Sequence, residues 1–182
     1  MCWIFWYIGW ENTQNKLVNW LKLLEYRWYD SAWLFEISKN EDYFIDKAVW
    51  KVSNLANKVE SNNKDYYMGI AHTRWATHGW VTKENTHPHV SNNKRFFIVH
   101  NGIIENFINL KKDLESKWYE FYSETDSEVL SNIIQEYFEE NLTKTIKKIT
   151  NLLEWAYAIE AIDIKNPYVI VWAKKWSPLV LW

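Results

Sequence analysis

Apolar residues recur along the chain with two different spacings, and the switches between them mark out its elements. WIFWYI, at 3–8, is a continuous apolar run and reads as a short buried strand. NKLVNWLKLLEY instead sets Leu17, Val18, Leu21 and Leu24 at helical spacing, on one helix face. RWYDSAW breaks the pattern, AWLFEI reads as a second strand and YFIDKAVW as another. Val52, Leu55 and Val59 in VSNLANKVE predict a short helix that SNNKD ends. YYMGIAHT is strand-like, and RWATHGW leaves it as a loop. ENTHPHVSNNK is polar, holds a proline and reads as irregular. FFIVHNG reads as an apolar strand running into a sharp polar turn.

Phe107, Leu110 and Leu114 predict a helix over NFINLKKDLESK, and YEFYSETD reads as a short extended piece. From Asp126 onward, Val129, Leu130, Ile133, Ile134 and Tyr137 form the face of a longer helix, with Asp126 or Thr125 as its cap. NLTKTIKKITNLL repeats the pattern through Ile146, Ile149 and Leu153. AYAIEAID and PYVIVWA close the chain as two strands, joined by a hairpin at KN. Hairpin-linked strands with paired helices do not fit a doubly wound sheet; they point to sheets packed together with helices outside. There is no internal repeat, low-complexity tract or linker, so residues 1–182 read as one domain. The abrupt stop at SPLVLW reads as truncation within a larger unit.

Composition narrows the class. Of 182 residues 48 % are hydrophobic and 24 % charged, which describes a folded chain rather than a disordered one. Acidic residues number 23 and basic ones 21, so no strong positive field exists to gather nucleic acid. No run of about 20 apolar residues predicts a membrane span. The start lacks the basic stretch and small-residue cleavage site of a signal peptide. A single cysteine, Cys2, cannot form an internal disulfide. Together these lead to the expectation of a cytoplasmic protein.

Cys2 has two readings. A lone cysteine with apolar neighbours is commonly inert and buried. If Met1 is removed, however, the same residue carries a thiol and a free α-amine, which titrates near neutrality and can accept the thiol proton. Nucleophile and base then share one residue. His87 and His89 in THPHV raise the idea of a metal site, but no HExxH-like spacing accompanies them; no metal and no cofactor is expected. In HTRWATHG, Arg74 offers either an ordinary salt bridge or a planar fork for a substrate carboxylate. In HNGIIEN, Asn101 and Gly102 are either a plain Asn-Gly turn or two donors aimed at one oxyanion. In YSETDSE the acidic residues either form a solvated first turn or free Asp126 for a substrate ammonium.

These motifs occur together in one family. MCWIFWYIG, LEYRWYDSAW, GIAHTRWATHG, THPHV, VHNGIIEN, YSETDSE and WSPLVLW resemble the class II glutamine amidotransferase domain of the glutamine–fructose-6-phosphate aminotransferases. The resemblance implies an α+β N-terminal-nucleophile fold, a four-layer αββα sandwich of two stacked antiparallel sheets. It implies that Cys2 is the nucleophile and that Asn101 and the Gly102 N–H form the oxyanion hole. Arg74 would hold the carboxylate of L-glutamine and Asp126 its ammonium, and Trp75, Thr77 and His78 would line the pocket. Fructose 6-phosphate would enter only through sugar-isomerase domains that this chain lacks, in an enzyme that is a homodimer when full-length. Two other readings remain: a glutaminase domain serving a phosphoribosyl acceptor, and a non-catalytic regulatory domain of the same fold.

The same resemblance addresses an odd composition. The chain has 14 tryptophans and 4 glycines, where an average chain of this length would hold roughly 13 glycines. The family pattern has glycine at Trp3, Trp6, Trp20, Trp28, Trp33, Trp50, Trp118, Trp155, Trp176 and Trp182, varies at Trp10, Trp80 and Trp172, and keeps Trp75. This implies that a UGA codon is decoded as glycine in the source organism. The chain made literally as written is then expected to fold poorly and to lack glutaminase activity.

Overall fold

The computed structural model describes residues 3–9, 13–27, 30–49, 52–60, 64–74, 82–154 and 156–177; at 27, 49, 60 and 74 only the backbone is described. The chain divides into two compact units, Met1–Pro88 and His89–Trp182.

In the first unit, four antiparallel strands lie in the order β1-β4-β2-β3: β1 Trp3–Ile8, β2 Ser31–Ile37, β3 Tyr43–Val49 and β4 Met68–Arg74. Helices α1 (Thr13–Leu24) and α2 (Val52–Glu60) bury Leu17, Val18, Leu21, Val52, Leu55 and Val59 against Ala32, Leu34 and Ala71 of this sheet. The period-3.6 stripes therefore formed the helices the sequence predicts. β2 is buried at every position, so both of its faces are covered and its pattern does not alternate. β1 departs from expectation. Among the described residues it is an edge strand with one neighbour, and Trp3, Trp6 and Ile8 are exposed.

The second unit carries the order β5-β6-β7-β8, again antiparallel: β5 His89–Val90, β6 Phe96–Gly102, β7 Tyr157–Asp163 and β8 Ile170–Lys175. Helices α3 (Phe107–Ser116), α4 (Ser127–Tyr137) and α5 (Leu142–Ile149) come between β6 and β7. Their core holds Leu114, Val129, Leu130, Ile133, Ile134, Ile146 and Ile149 against Phe96, Ile98, Ile159 and Ala161. β5 lies within the stretch read as irregular. The β7–β8 hairpin turns at Lys165–Asn166, with the Asn166 N–H donating to the Asp163 carbonyl at 2.8 Å. The guanidinium of Arg95 grips both carboxylate oxygens of Asp163, at 2.7 and 2.6 Å, across the start of β6 and the end of β7.

The piece 119–126, read as extended, joins neither sheet, because side chains take its backbone donors. Asn92 Oδ1 accepts from the Glu120 N–H at 2.8 Å, and the Glu128 carboxylate accepts from Tyr122 and Ser123. Helix α5 stops at Ile149 rather than running to Leu153; Leu152 N–H turns back to the Ile149 carbonyl at 2.8 Å, which still buries Leu153. Among the described residues no helix is long and apolar enough to cross a membrane.

Candidate active site

The end of β6 sets the first part of the site. Asn101 and Gly102 pair with Ala158 and Tyr157 of β7, so they close the strand rather than form the turn the sequence suggested. Gly102 has φ +145, and a Cβ there would stand 2.4 Å from the Ala156 carbonyl oxygen and 2.9 Å from the Tyr157 Cα. Both contacts are backbone, so no side chain fits without moving the strand. Beyond it, Ile103 N–H reaches the Ala156 carbonyl at 3.3 Å. The Asn106 side chain ties the turn down by donating to the Leu152 carbonyl at 2.8 Å.

Asp126 supplies the second part. It stands at the N-cap position of α4 but makes no side-chain cap bond. Its Oδ2 instead accepts from the Ile104 N–H at 2.8 Å, two residues beyond Gly102. The structure thus joins Asn101, Gly102 and Asp126 through one short turn. The first turn of α4 is buried rather than solvated: Thr125, Asp126, Ser127 and Glu128 are each under a tenth exposed. Glu128 folds back onto the preceding turn, where Oε2 accepts from the Ser123 N–H and Oγ–H, both at 2.7 Å.

Cys2, Trp75, Thr77 and His78 lie outside the described residues, as does the side chain of Arg74. The backbone of Arg74 ends β4, paired with Ser31. The histidines of THPHV go separate ways. The His87 ring meets the His72 ring at 4.9 Å, edge to face, while His89 Nε2 lies 2.9 Å from the Thr125 hydroxyl. His72 Nδ1 accepts from the Trp33 indole N–H at 3.0 Å. Among the described residues no group of three or more His, Cys, Asp or Glu side chains is placed to hold a metal ion.

Two residues beside the site were not singled out for it by sequence reasoning. His100 Nδ1 sits 2.9 Å from the Ser127 hydroxyl and 4.0 Å from Asp126 Oδ2, and the ring is buried. Burial pushes its pKa below the usual histidine value, and nearby Asp126 only partly opposes this. A signal was available in the sequence. Period 2 along FFIVHNG puts His100 on the same face as Phe96 and Ile98, which marks a polar ring turned into an apolar core.

Residues 45–155 match the model of the glutamine amidotransferase domain family. Across its whole length the chain is 41 % identical to a glutamine–fructose-6-phosphate aminotransferase (isomerizing) of Clostridium acetobutylicum and 43 % identical to that of Bacteroides thetaiotaomicron. Over 94 % of its length it is 45 % identical to the Francisella tularensis enzyme of the same name, of which it covers 28 %. The chain spans about 30 % of the length of the first two. Among solved structures it resembles the glutamine phosphoribosylpyrophosphate amidotransferase of B. subtilis complexed with ADP and GMP. The TM-score there is 0.75 and the identity 25 %, over 88 % of this chain and 35 % of that one. It also resembles an allosteric regulatory enzyme of purine biosynthesis, with a TM-score of 0.73 and 26 % identity over 87 % of this chain and 35 % of that one. These likenesses, with two antiparallel sheets and their helices, meet the expectation of the α+β N-terminal-nucleophile fold.

Proposed function

The chain belongs to the glutamine amidotransferase domain family, and from that membership we propose that it hydrolyses L-glutamine to glutamate and ammonia with Cys2 as nucleophile. Removal of Met1 leaves the Cys2 α-amine free to take the thiol proton. The thiolate attacks the side-chain carbonyl carbon of glutamine, and the carbonyl oxygen becomes an oxyanion. Asn101 and the Gly102 N–H stabilise that charge as it develops. The Cys2 α-ammonium returns that proton to the leaving nitrogen, and collapse re-forms the carbonyl and expels ammonia, leaving a γ-glutamyl thioester. Water then attacks the thioester, releasing glutamate and the thiol. Arg74 holds the α-carboxylate, Asp126 the α-ammonium, and Trp75, Thr77 and His78 line the pocket.

The ammonia then passes to fructose 6-phosphate bound by sugar-isomerase domains, giving glucosamine 6-phosphate and water in a cytoplasmic homodimer. The observation that carries this reading is the 41–43 % identity to two aminotransferases along the entire chain. It favours the sugar-phosphate acceptor over a phosphoribosyl acceptor, since the phosphoribosylpyrophosphate enzyme of similar fold is 25 % identical. The test is glutamate release from glutamine by the chain with glycine restored at the tryptophans where the family pattern has it, and by the Cys2→Ala variant of that chain. Release by the parent that the variant lacks supports the proposal. Equal release by both, or none by the glycine-restored chain, overturns it in favour of another nucleophile or a regulatory domain.

A further inference from the structure

His100, Ser127 and Asp126 form a connected buried set at the junction of β6 and α4. Asp126 Oδ1 lies 3.4 Å from the Ser127 hydroxyl, and that hydroxyl lies 2.9 Å from His100 Nδ1. A carboxylate only accepts hydrogen bonds, so the Ser127 proton turns toward Asp126 and the Ser127 oxygen accepts from His100 Nδ1–H. That leaves Nε2 as the bare ring nitrogen. It has no hydrogen-bond partner among the described residues, and it lies 3.1 Å from where a Cβ on Gly102 would stand. The other carboxylate oxygen of Asp126 is held by the Ile104 N–H at 2.8 Å. Asp126 is thus fixed from two directions, by the backbone that follows Gly102 and by a ring on the residue before Asn101. It gives up the helix-capping bond its position would allow.

We infer that His100 is a positioning residue which, through Ser127, orients the Asp126 carboxylate relative to the Asn101–Gly102 oxyanion site. The inference rests on the proposed roles of Asp126 and Asn101–Gly102 toward glutamine. A glutamine ammonium on Asp126 and a reacting carbonyl at Gly102 must sit at one fixed separation. His100 is built into the same strand as Gly102, so it transmits the strand's position to the carboxylate. A neutral ring suits this task, because a charged one 4.0 Å away would compete with the substrate ammonium for Asp126. Burial keeps the ring neutral.

The test compares two substrates of the glycine-restored chain, glutamine and 4-carbamoylbutanoate, which keeps the amide and the carboxylate but lacks the α-ammonium. Their kcat/KM ratio reads the ammonium contact alone. His100→Ala and Ser127→Ala are each expected to lower that ratio about ten-fold, a loss typical of a buried hydrogen bond to a charged group. The change should appear mainly as a higher KM for glutamine, with the analogue altered less than about two-fold. His100→Asn, which restores a side-chain N–H, should recover part of the ratio. Equal losses on both substrates, or an unchanged ratio in folded Ser127→Ala, would overturn the inference. A parent enzyme that hydrolyses glutamine without preferring it over the analogue would instead overturn the role of Asp126.

Discussion

Trp118 offers the sharpest perturbation of the fold. Helix α3 ends at Ser116, Lys117 caps it, and Trp118 follows with φ +69. Its N–H donates to the Glu115 carbonyl and the Tyr119 N–H to the Leu114 carbonyl, each at 3.1 Å. This paired pattern is the Schellman ending, whose left-handed residue is usually glycine. The indole is 92 % exposed, so it gains little burial in return. A left-handed L-residue costs roughly 1–2 kcal/mol. Glycine removes that cost but frees the unfolded chain, which returns about 0.4–1 kcal/mol. Trp118→Gly should therefore stabilise by about 0.5–1 kcal/mol, or roughly 1–4 °C in Tm for a chain of this size. The assay is thermal unfolding by circular dichroism of a parent that keeps Trp118 but has glycine restored at the other family glycine positions, and of its Trp118→Gly and Trp118→Ala variants. Alanine keeps the Cβ and should gain much less. A glycine variant that melts below the parent, or an alanine variant that gains as much, would mean that the left-handed backbone at 118 costs nothing.

Trp176 has φ +62 and 73 % exposure, but Lys175 lies 5.2 Å over its ring. Trp176→Gly should raise Tm by less than Trp118→Gly, because a cation–π contact worth about 0.5–1 kcal/mol is lost. If UGA is read as glycine, peptide mass spectrometry of the native protein will give glycine masses at 118 and 176; tryptophan masses would end that account. Gly102→Ala drives a Cβ into the Ala156 carbonyl and should cost at least about 1–3 kcal/mol together with about a hundred-fold in glutamine hydrolysis; retention of both would remove the argument from close approach. Burial pushes the Glu160 carboxyl up to about 8. It stays protonated in the folded chain while the unfolded form ionises near 4.5, so its contribution to stability is whole below that value and falls as pH rises toward 8. Glu160→Gln removes this fall, and its advantage over the parent in urea unfolding should grow by about 4 kcal/mol from about pH 5 to about pH 8.5; an advantage independent of pH would refute the assignment.

Much of the architecture was legible because it rests on local periodicity. The stripes of α1, α2 and α4, and the apolar runs of β2 and β6, each name their own buried face. What stayed hidden depends on partners distant in sequence. WIFWYI shows nothing to mark it as an edge strand, and 119–126 has extended character that side chains of Asn92 and Glu128 divert from pairing. The site was read as separate motifs. That Asp126 turns from its helix toward Ile104, and that His100 braces it through Ser127, follows only from α4 packing beside β6. Asn101 and Gly102 were legible as a pair at the end of an apolar strand. The reason Gly102 must be glycine lies 54 residues on, at the Ala156 carbonyl.

The proposed reaction requires a mature chain that begins with a thiol and its own proton acceptor on one residue. Intact mass of the native protein, before and after treatment with a diazoketone analogue of glutamine, tests it most directly. The expected result is a chain without Met1 that gains a single adduct, mapped to Cys2 by peptide sequencing and blocked by excess glutamine. A mature chain that keeps Met1, or an adduct at any other residue, would contradict it.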